Sequence, residues 1–256
     1  MDDRVVGDHW EANAAAWTTL VRAGYDVFRD LVNTPAFLTM LPEVDGKRGI
    51  DIGCGEGANT RTVARRGARM TGIDIAPTFI GAAREAERGE PLGIEYVLAS
   101  AAALPFEDAA FDFATAFMSL MDVADFEGAL REAGRVVAPG GFLQFSMMHP
   151  CFGAAPRVRD ERGEVESIVV SDYYDRREFV EEWTFSDAPG ATALPKFRIP
   201  YFHRSLADWF DAVAAAGFVV ERLAEPRASA EAIGRAPRLA AIRHVPLFMI
   251  LRCRKP

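Results

Sequence analysis

The sequence predicts an α/β fold in which a mostly parallel sheet carries helices on both faces. Beyond Gly46, short apolar runs alternate with stretches whose apolar residues recur every three or four positions, as expected for repeated strand and helix units. Glycines and a Pro139-Gly140-Gly141 sequence stand where the chain must change direction. The chain has 256 residues, 50% of them hydrophobic and 26% charged, so it can bury a full core.

The elements follow in order along the chain. Apolar residues at helical spacing predict helices over the first forty residues, and Pro35 and Pro42 mark their end. The next segments are the predicted strands 48–52, 69–73, 94–98, 111–117 and 142–148, which alternate with the predicted helices 60–66, 79–88 and 126–137.

The alternation stops between Cys151 and about Pro200, which indicates an insertion containing two paired strands, 165–170 and 179–185. Ser205, followed three residues later by Asp208, is typical of a capping box and predicts a helix that ends at Gly217. Segments 218–223 and 245–253 are the last two predicted strands.

Charge and cysteine content limit the partners and the compartment. With 29 Lys+Arg against 37 Asp+Glu the net charge is −8, which argues against nucleic acid as a partner. Neither a signal peptide nor an uninterrupted apolar span is visible, so no membrane partner is expected. Three well-separated cysteines fit neither a disulfide framework nor a metal cluster, and we expect a cytoplasmic protein without a metal.

A glycine-rich loop joins the first predicted strand to the first helix of the alternating region. Its sequence is Asp51-Ile-Gly-Cys-Gly-Glu-Gly, and Asp74 ends the next strand 23 residues later, where a carboxylate can accept hydrogen bonds from a ribose diol. These features predict an adenosine-containing cofactor. The spacing fits either a nicotinamide dinucleotide or S-adenosylmethionine, but Asp51 would repel a pyrophosphate and suits a ligand carrying an ammonium and a sulfonium.

Four ordered motifs carry a family resemblance over about residues 46 to 148. The sequence resembles the class I S-adenosylmethionine-dependent methyltransferases, especially the ubiquinone/menaquinone type, in the loop 51–57, Gly72-Ile-Asp-Ile-Ala, Leu104-Pro-Phe-Glu-Asp-Ala-Ala-Phe-Asp and Ala133–Gly141. The resemblance implies a Rossmann-like, seven-stranded sheet with an antiparallel last strand, and S-adenosylmethionine lying across the carboxyl ends of the first, second and fourth strands. The implied cofactor-binding residues are Asp51, Gly53, Cys54, Gly55, Gly57, Asp74, Ile75, Ser100, Ala101 and Phe117.

The chain departs from the family pattern at Ser100. In the family an Asp commonly contacts the adenine amine at this place, whereas this chain has Ala99-Ser100-Ala101. Adenine recognition would then depend on the Ala101 backbone and on apolar contacts such as Ile75. We accordingly expect Ser100→Asp to leave cofactor binding intact or to improve it.

The predicted substrate side lies in the segments that cover the cofactor. His149, directly after the fifth strand, and His203, at the exit of the insertion, are the candidate general bases. Trp17, Tyr25, Tyr173 and Tyr174 are candidate substrate contacts and favour a partly aromatic or apolar acceptor. The predicted organisation is one domain over 1–256, with a helical cover (1–45), a cofactor-binding core (46–150), an inserted cover (151–203) and a C-terminal helix with two strands (204–256).

The sequence therefore predicts a methyltransferase that acts on a small molecule by in-line displacement, releases S-adenosylhomocysteine, and favours O- or N-methylation. Two alternatives stay open. The chain could be a non-catalytic S-adenosylmethionine-binding module, or a nicotinamide-dependent oxidoreductase, which Asp51 and the lack of a Tyr-x-x-x-Lys motif disfavour. The acceptor is undetermined, and so is the choice between a monomer and a homodimer.

Overall fold

The computed structural model describes residues 1–153, 155–163, 165–185, 188 and 196–256. The strands in chain order are β1 (Arg48–Ile52), β2 (Arg69–Asp74), β3 (Glu95–Leu98), β4 (Phe111–Phe117), β5 (Val137–Met148), β6 (Arg157–Arg159), β7 (Val165–Ile168), β8 (Glu178–Trp183), β9 (Phe197–Phe202), β10 (Val219–Ala224) and β11 (Phe248–Arg254). The helices are α1 (Asp3–Arg22), α2 (Thr34–Met40), α3 (Ala58–Ala64), α4 (Pro77–Gly89), α5 (Phe126–Val136), α6 (Leu206–Ala215) and α7 (Ala230–Arg235), with a π-helix at Arg29–Asn33 and 3-10 helices at Leu120–Asp122 and Pro237–Ile242.

Seven strands form the central sheet in the order β10-β11-β5-β4-β1-β2-β3. Strands β1 to β5 pair in parallel, and β11 runs antiparallel to both β5 and β10. This confirms the predicted seven-stranded sheet with an antiparallel last strand. The connections bring the carboxyl ends of β1, β2 and β4 to one edge, where open α/β sheets bind ligands.

Alternating side chains of the strands bury both faces of the sheet, as expected for a parallel sheet covered on both sides. On one face Ala114 and Ala116 of β4 pack in a core with Leu130 of α5 and Trp209 of α6. On the other face Phe113 and Phe117 pack with residues of α2, α3 and α4, namely Phe37, Val63 and Ile80. The helices therefore lie on both faces, as predicted.

The inserted segment differs from its predicted pairing. Strand β7 pairs with β6 and strand β8 pairs with β9, so the two predicted strands do not pair with each other. The prediction was wrong because β6 is only three residues long and β9 contains Pro200, which weakens its strand signal. Parts of the predicted cover 151–203, namely 154, 164, 186–187 and 189–195, lie outside the described residues.

The N-terminal helix α1 lies over the sheet edge and packs against α4 and β9. Its Trp17 ring is 5.2 Å from the ring of Trp183, 5.2 Å from that of Phe185 and 5.1 Å from that of Phe197. This aromatic cluster joins α1 to the β8–β9 hairpin. The two covers are thus held to each other above the carboxyl edge of the sheet.

The C-terminal part contains one confirmed cap and two helices that were not predicted. Ser205 and Asp208 form the capping box at the start of α6, and the chain turns at Gly217 with φ +83°. Between β10 and β11 the chain forms α7 and a 3-10 helix, whose buried Leu239 and Ile242 share a cluster with Val32.

Candidate active site

A cavity of about 770 Å³ opens at the carboxyl edge of the sheet, between the strand ends and the two covers. The loop after β1, the end of β2, the segment after β3 and the turn after β4 form its floor. The cover residues that line it include Trp10, Trp17, Tyr25, Trp183 and Tyr201. The strand order places the ends of β2 and β3 on one side of β1 and the ends of β4 and β5 on the other.

The glycine loop contains backbone conformations that residues other than glycine adopt only with strain. Gly53 has φ +72°, and a Cβ at this position would lie 2.3 Å from the Cβ of Ser119 in the turn after β4. Gly57 has φ +88° and directly precedes α3, where a Cβ would lie 2.6 Å from the Tyr96 hydroxyl. Gly53 and Gly55 line the cavity, whereas Gly57 positions the start of the helix.

Asp51 is buried at the base of the loop. Its two carboxylate oxygens accept hydrogen bonds from the hydroxyls of Thr60 (2.5 Å) and Thr115 (2.8 Å). Burial raises the pKa of Asp51 from about 3.8 to about 6, and these two hydrogen bonds partly offset that effect. Asp51 lines the cavity, so a positively charged ligand group in the cavity would stabilise its ionised form.

Asp74 is fixed at the end of β2 by backbone donors. The amides of Gly55 and Ala76 each donate to one of its carboxylate oxygens at 2.9 Å. Burial raises the pKa of Asp74 to about 6 despite these hydrogen bonds. The neighbouring Cys54 is small and buried, and burial raises the pKa of its thiol, which keeps the group protonated.

The segment after β3 meets the N-terminal helix at the cavity wall. The Ser100 hydroxyl donates to the Asp3 carboxylate at 2.5 Å and accepts from the Ala102 amide at 3.1 Å. Asp3, Ser100 and Ala101 all line the cavity. The carboxylate missing at position 100 is therefore present nearby on another element. This contact was not predicted because 97 residues separate the two positions.

The remaining predicted cofactor residues, Ile75 and Phe117, also line the cavity. Phe117 stacks on Phe37 of α2 with ring centroids 3.8 Å apart, so it packs in the core with one part of its surface and faces the cavity with another. Next to it, Met118 has φ +55°, a strained conformation for a residue with a side chain. Its amide is held by the carbonyl and hydroxyl oxygens of Ser146.

Comparisons with known proteins agree with this geometry. Residues 50–145 match the family model described as a methyltransferase domain. This central part of the chain is similar to the class I S-adenosylmethionine-dependent methyltransferases. A solved S-adenosylmethionine-dependent methyltransferase from Mesorhizobium loti is similar over 86% of this chain and 96% of its own, with a TM-score of 0.69 and 27% identity.

Two curated proteins are similar to about half of this chain. A ubiquinone biosynthesis O-methyltransferase from Methylocella silvestris is 37% identical over 55% of this chain and 59% of its own. A demethylmenaquinone methyltransferase from Tropheryma whipplei is 41% identical over 47% of this chain and 50% of its own. The chain thus spans little more than half the length of these relatives. The predicted resemblance to the ubiquinone/menaquinone type is confirmed.

A partly buried ion pair that the sequence did not indicate joins the N-terminal cover to the glycine loop. Arg29 lies 3.4 Å from Glu56 and also contacts Asp30 at 2.8 Å, and both Arg29 and Glu56 line the cavity. Burial raises the pKa of Glu56, and the Arg29 charge partly offsets this effect. Arg29 is thus a cation placed next to the loop, where it can meet a ligand carboxylate.

The two predicted catalytic histidines lie away from the cavity-lining set. His149 is buried, its Nε2 is 3.0 Å from Glu225, and its Nδ1 accepts from the Cys151 amide at 3.1 Å. Burial lowers the pKa of His149, although Glu225 opposes this. The Nε2 of His203 lies 2.7 Å from the Tyr173 carbonyl oxygen. Because these ring nitrogens already have partners, the geometry does not support either histidine as the base.

The predicted substrate contacts divide into two pairs. Trp17 and Tyr25 line the cavity. Tyr173 and Tyr174 do not: the Tyr173 hydroxyl accepts from the Leu206 amide at 2.8 Å, and Tyr174 is 89% exposed. The aromatic cavity wall comes instead from Trp183, Phe185 and Tyr201 of the inserted segment.

Three acidic or phenolic groups that the sequence did not indicate lie close to one another in the cavity wall. Asp122 is in the turn after β4, and Glu181 and Tyr201 are on the β8–β9 hairpin. They are far apart in sequence and match no motif, so only the fold brings them together. Within the described part of the chain, no group of three or more His, Cys, Asp or Glu residues is arranged to hold a metal ion, and no helix has the length and apolar character to span a membrane.

Proposed function

We propose that this chain binds S-adenosylmethionine in the cavity and transfers its methyl group to a small organic acceptor by O- or N-methylation. The observation that carries the proposal is the pair of buried carboxylates at the glycine loop, Asp51 and Asp74. Among the described residues, both accept hydrogen bonds only from neutral donors, and both have raised pKa values. Uncompensated buried carboxylates favour a cationic ligand and disfavour a pyrophosphate.

The residues of the cavity fit the cofactor group by group. Asp74 can accept from a ribose diol, and Asp51 can face the ammonium and sulfonium of the methionine part. Arg29 can pair with its carboxylate, and Ile75 and Phe117 can contact the adenine faces. When bound, the cofactor supplies a methyl group on a leaving group that is already activated.

The chain's own contribution is then to position the acceptor and to exclude water. The cover residues Trp17, Tyr25, Trp183 and Tyr201 provide an apolar wall with two phenol hydroxyls, which suits an acceptor with a ring and a few polar groups. The names of the curated relatives, which refer to ubiquinone and demethylmenaquinone, also favour a ring-bearing acceptor.

An activity screen tests the proposal. Purified protein is incubated with S-adenosylmethionine and a library of ring-bearing amines, phenols and carboxylic acids, and S-adenosylhomocysteine is measured by mass spectrometry. We expect release that depends on the acceptor and is lost in Asp74→Asn but retained in Asp211→Asn, which changes an exposed carboxylate of α6. Cofactor binding without release for any acceptor would indicate a binding module, and binding of NAD in place of S-adenosylmethionine would contradict the proposal.

A further inference from the structure

Asp122 occupies an unusual position in the turn after β4. It is only 6% exposed, lines the cavity, and ends the 3-10 helix Leu120–Asp122. No hydrogen-bond donor or basic side chain of the described residues reaches its carboxylate within bonding distance, although its backbone amide donates to the Ser119 carbonyl. A buried carboxylate left without a donor is costly unless a ligand supplies one.

Arg204 is the positive charge that acts on Asp122, but its N–H groups bind other partners. The Arg204 guanidinium donates to the carbonyl oxygens of Met121 at 2.8 Å and Val123 at 2.6 Å, and lies over the Phe126 ring at 4.1 Å. Arg204 therefore stabilises the turn that contains Asp122, but it does not form an ion pair with the Asp122 carboxylate. Its charge partly offsets the effect of burial on the pKa of Asp122, which is raised well above its usual value near 3.8.

A second carboxylate faces the same part of the cavity. Glu181 of β8 is paired in register with Ile199 of β9, and Tyr201 follows two residues later, so Ile199 and Tyr201 lie on one face of the hairpin. All three line the cavity. The negative charge of Glu181 further raises the pKa of Asp122, and burial, together with the charges of Glu181 and Asp122, raises the pKa of Tyr201 to about 12.

The basic side chains that line the cavity do not act on Asp122 or Glu181. The basic residues that line the cavity are Arg29, Arg157, Arg159 and Arg238, and none of them contributes to the pKa shifts of Asp122 or Glu181. The part of the cavity formed by Asp122, Glu181 and Tyr201, which we call the acidic end, thus has two carboxylates, a phenol and no ion-paired cation among the described residues. Its complement is a positively charged group with N–H donors.

We propose that the acidic end binds a cationic nitrogen of the methyl acceptor, with Asp122 as its direct partner, so that the substrate class is an amine. This inference deepens the proposed function and depends on it. An ammonium nitrogen must lose a proton before its lone pair can accept a methyl group. That proton passes to the Asp122 carboxylate, and an ammonium and a carboxylate thereby become a neutral amine and a neutral acid.

Calorimetry with matched probes tests this. Protein with and without S-adenosylhomocysteine is titrated with 2-phenylethylamine, 2-phenylethanol and 3-phenylpropionate, which share a ring and differ in charge. We expect the amine to bind at least tenfold more tightly than the other two, and Asp122→Asn to remove this preference, with a smaller loss in Glu181→Gln. The control Asp211→Asn, at an exposed site on α6, should bind like the unsubstituted protein.

Proton release on amine binding distinguishes direct binding by Asp122 from a purely structural role, because a structural role would not change the number of protons released. Burial raises the pKa of unliganded Asp122 and a bound cation would lower it, so amine binding should release protons. The measured binding enthalpy of the amine should then differ between phosphate and Tris buffers by the number of protons released multiplied by the difference between the two buffers' ionisation enthalpies. Asp122→Asn should abolish this difference and should not lower the stability of the unliganded protein.

The outcomes separate the two proposals. Failure to bind S-adenosylhomocysteine would contradict the proposed function itself. Normal S-adenosylhomocysteine binding with no amine binding, with equal affinity for the three probes, or with an amine preference that survives Asp122→Asn would overturn only the assignment of the acidic end.

Discussion

Asp51 and Asp74 show how single residues can carry ligand preference at a cost to the unliganded protein. Each is buried at the glycine loop, and burial raises each pKa to about 6. A group with a raised acid pKa is easier to protonate in the folded than in the unfolded state, so its ionisation lowers the free energy of unfolding as pH rises. Cofactor binding would relieve this cost.

The pH dependence of stability gives the first prediction. Between about pH 4 and pH 6, unsubstituted protein should lose up to about 3 kcal/mol of unfolding free energy that Asp74→Asn does not lose, because the folded pKa of Asp74 is about 6 and its unfolded value is near 3.8. Urea unfolding of both proteins from about pH 4 to pH 7 measures this difference. A difference that is constant with pH, or that has the opposite slope, would contradict the assigned ionisation.

Ser100 gives the second prediction, which reverses the one made from sequence. Because Asp3 lies 2.5 Å from the Ser100 hydroxyl, Ser100→Asp would place two carboxylates side by side. We expect roughly tenfold weaker binding of S-adenosylhomocysteine from this repulsion. The double variant Asp3→Asn/Ser100→Asp should recover most of the affinity, because one charge is removed.

Calorimetry on the two single variants and the double variant measures this coupling. If Ser100→Asp alone binds as tightly as the unsubstituted protein, Asp3 does not occupy the place that the structure gives it.

At the scale of elements, the covers depend on one aromatic cluster. Trp17 of α1 contacts Trp183, Phe185 and Phe197 of the inserted segment. Trp17→Ala should release the β8–β9 hairpin while leaving the central sheet intact, with at least tenfold faster amide hydrogen exchange in 178–183 and 197–202.

The matched aromatic control is Tyr174→Ala, since Tyr174 is 89% exposed and does not line the cavity. Equal exchange rates in the two variants would show that the hairpin is held by other contacts.

The capping box of α6 gives a prediction about a helix that supports the sheet. Ser205 accepts from the Asp208 amide at 3.2 Å, and the Asp208 carboxylate accepts from the Ser205 amide at 2.8 Å. Ser205→Ala should lower the free energy of unfolding by about 1 kcal/mol, and Ser205→Thr by less. Chemical denaturation measures this, with the exposed Ser171→Ala as control. A loss in Ser205→Ala no larger than that in Ser171→Ala would argue against the cap.

For the whole molecule, local patterns predict the core well and the covers poorly. Strands β1 and β4 begin and end where the apolar runs do, because a strand buried on both faces is a continuous apolar segment bounded by turn residues. The β6–β7 and β8–β9 pairs are partly exposed and short, so their sequence carries little periodicity, and their partners were mispredicted.

The site residues also divide into those that local motifs predict and those that only the tertiary structure reveals. Asp51, Asp74 and the glycine loop belong to contiguous motifs and were predicted to lie at the strand ends. Asp3 and Arg29 were missed because each reaches the cavity from the N-terminal helical segment, which is distant in sequence from the strand ends. Asp122 lies only five residues after Phe117 but belongs to no recognised motif. His149 was chosen for its place after a strand, but its ring nitrogens contact Glu225 and the Cys151 amide.

The main conclusion is that the cavity at the carboxyl edge of the sheet is a cofactor site organised by Asp74. Calorimetric titration with S-adenosylhomocysteine is its most direct test. We expect saturable one-to-one binding at pH 7.5, no binding of NAD, and at least tenfold weaker binding in Asp74→Asn, which corresponds to about 1.4 kcal/mol. No binding of S-adenosylhomocysteine, or undiminished binding in Asp74→Asn, would contradict it.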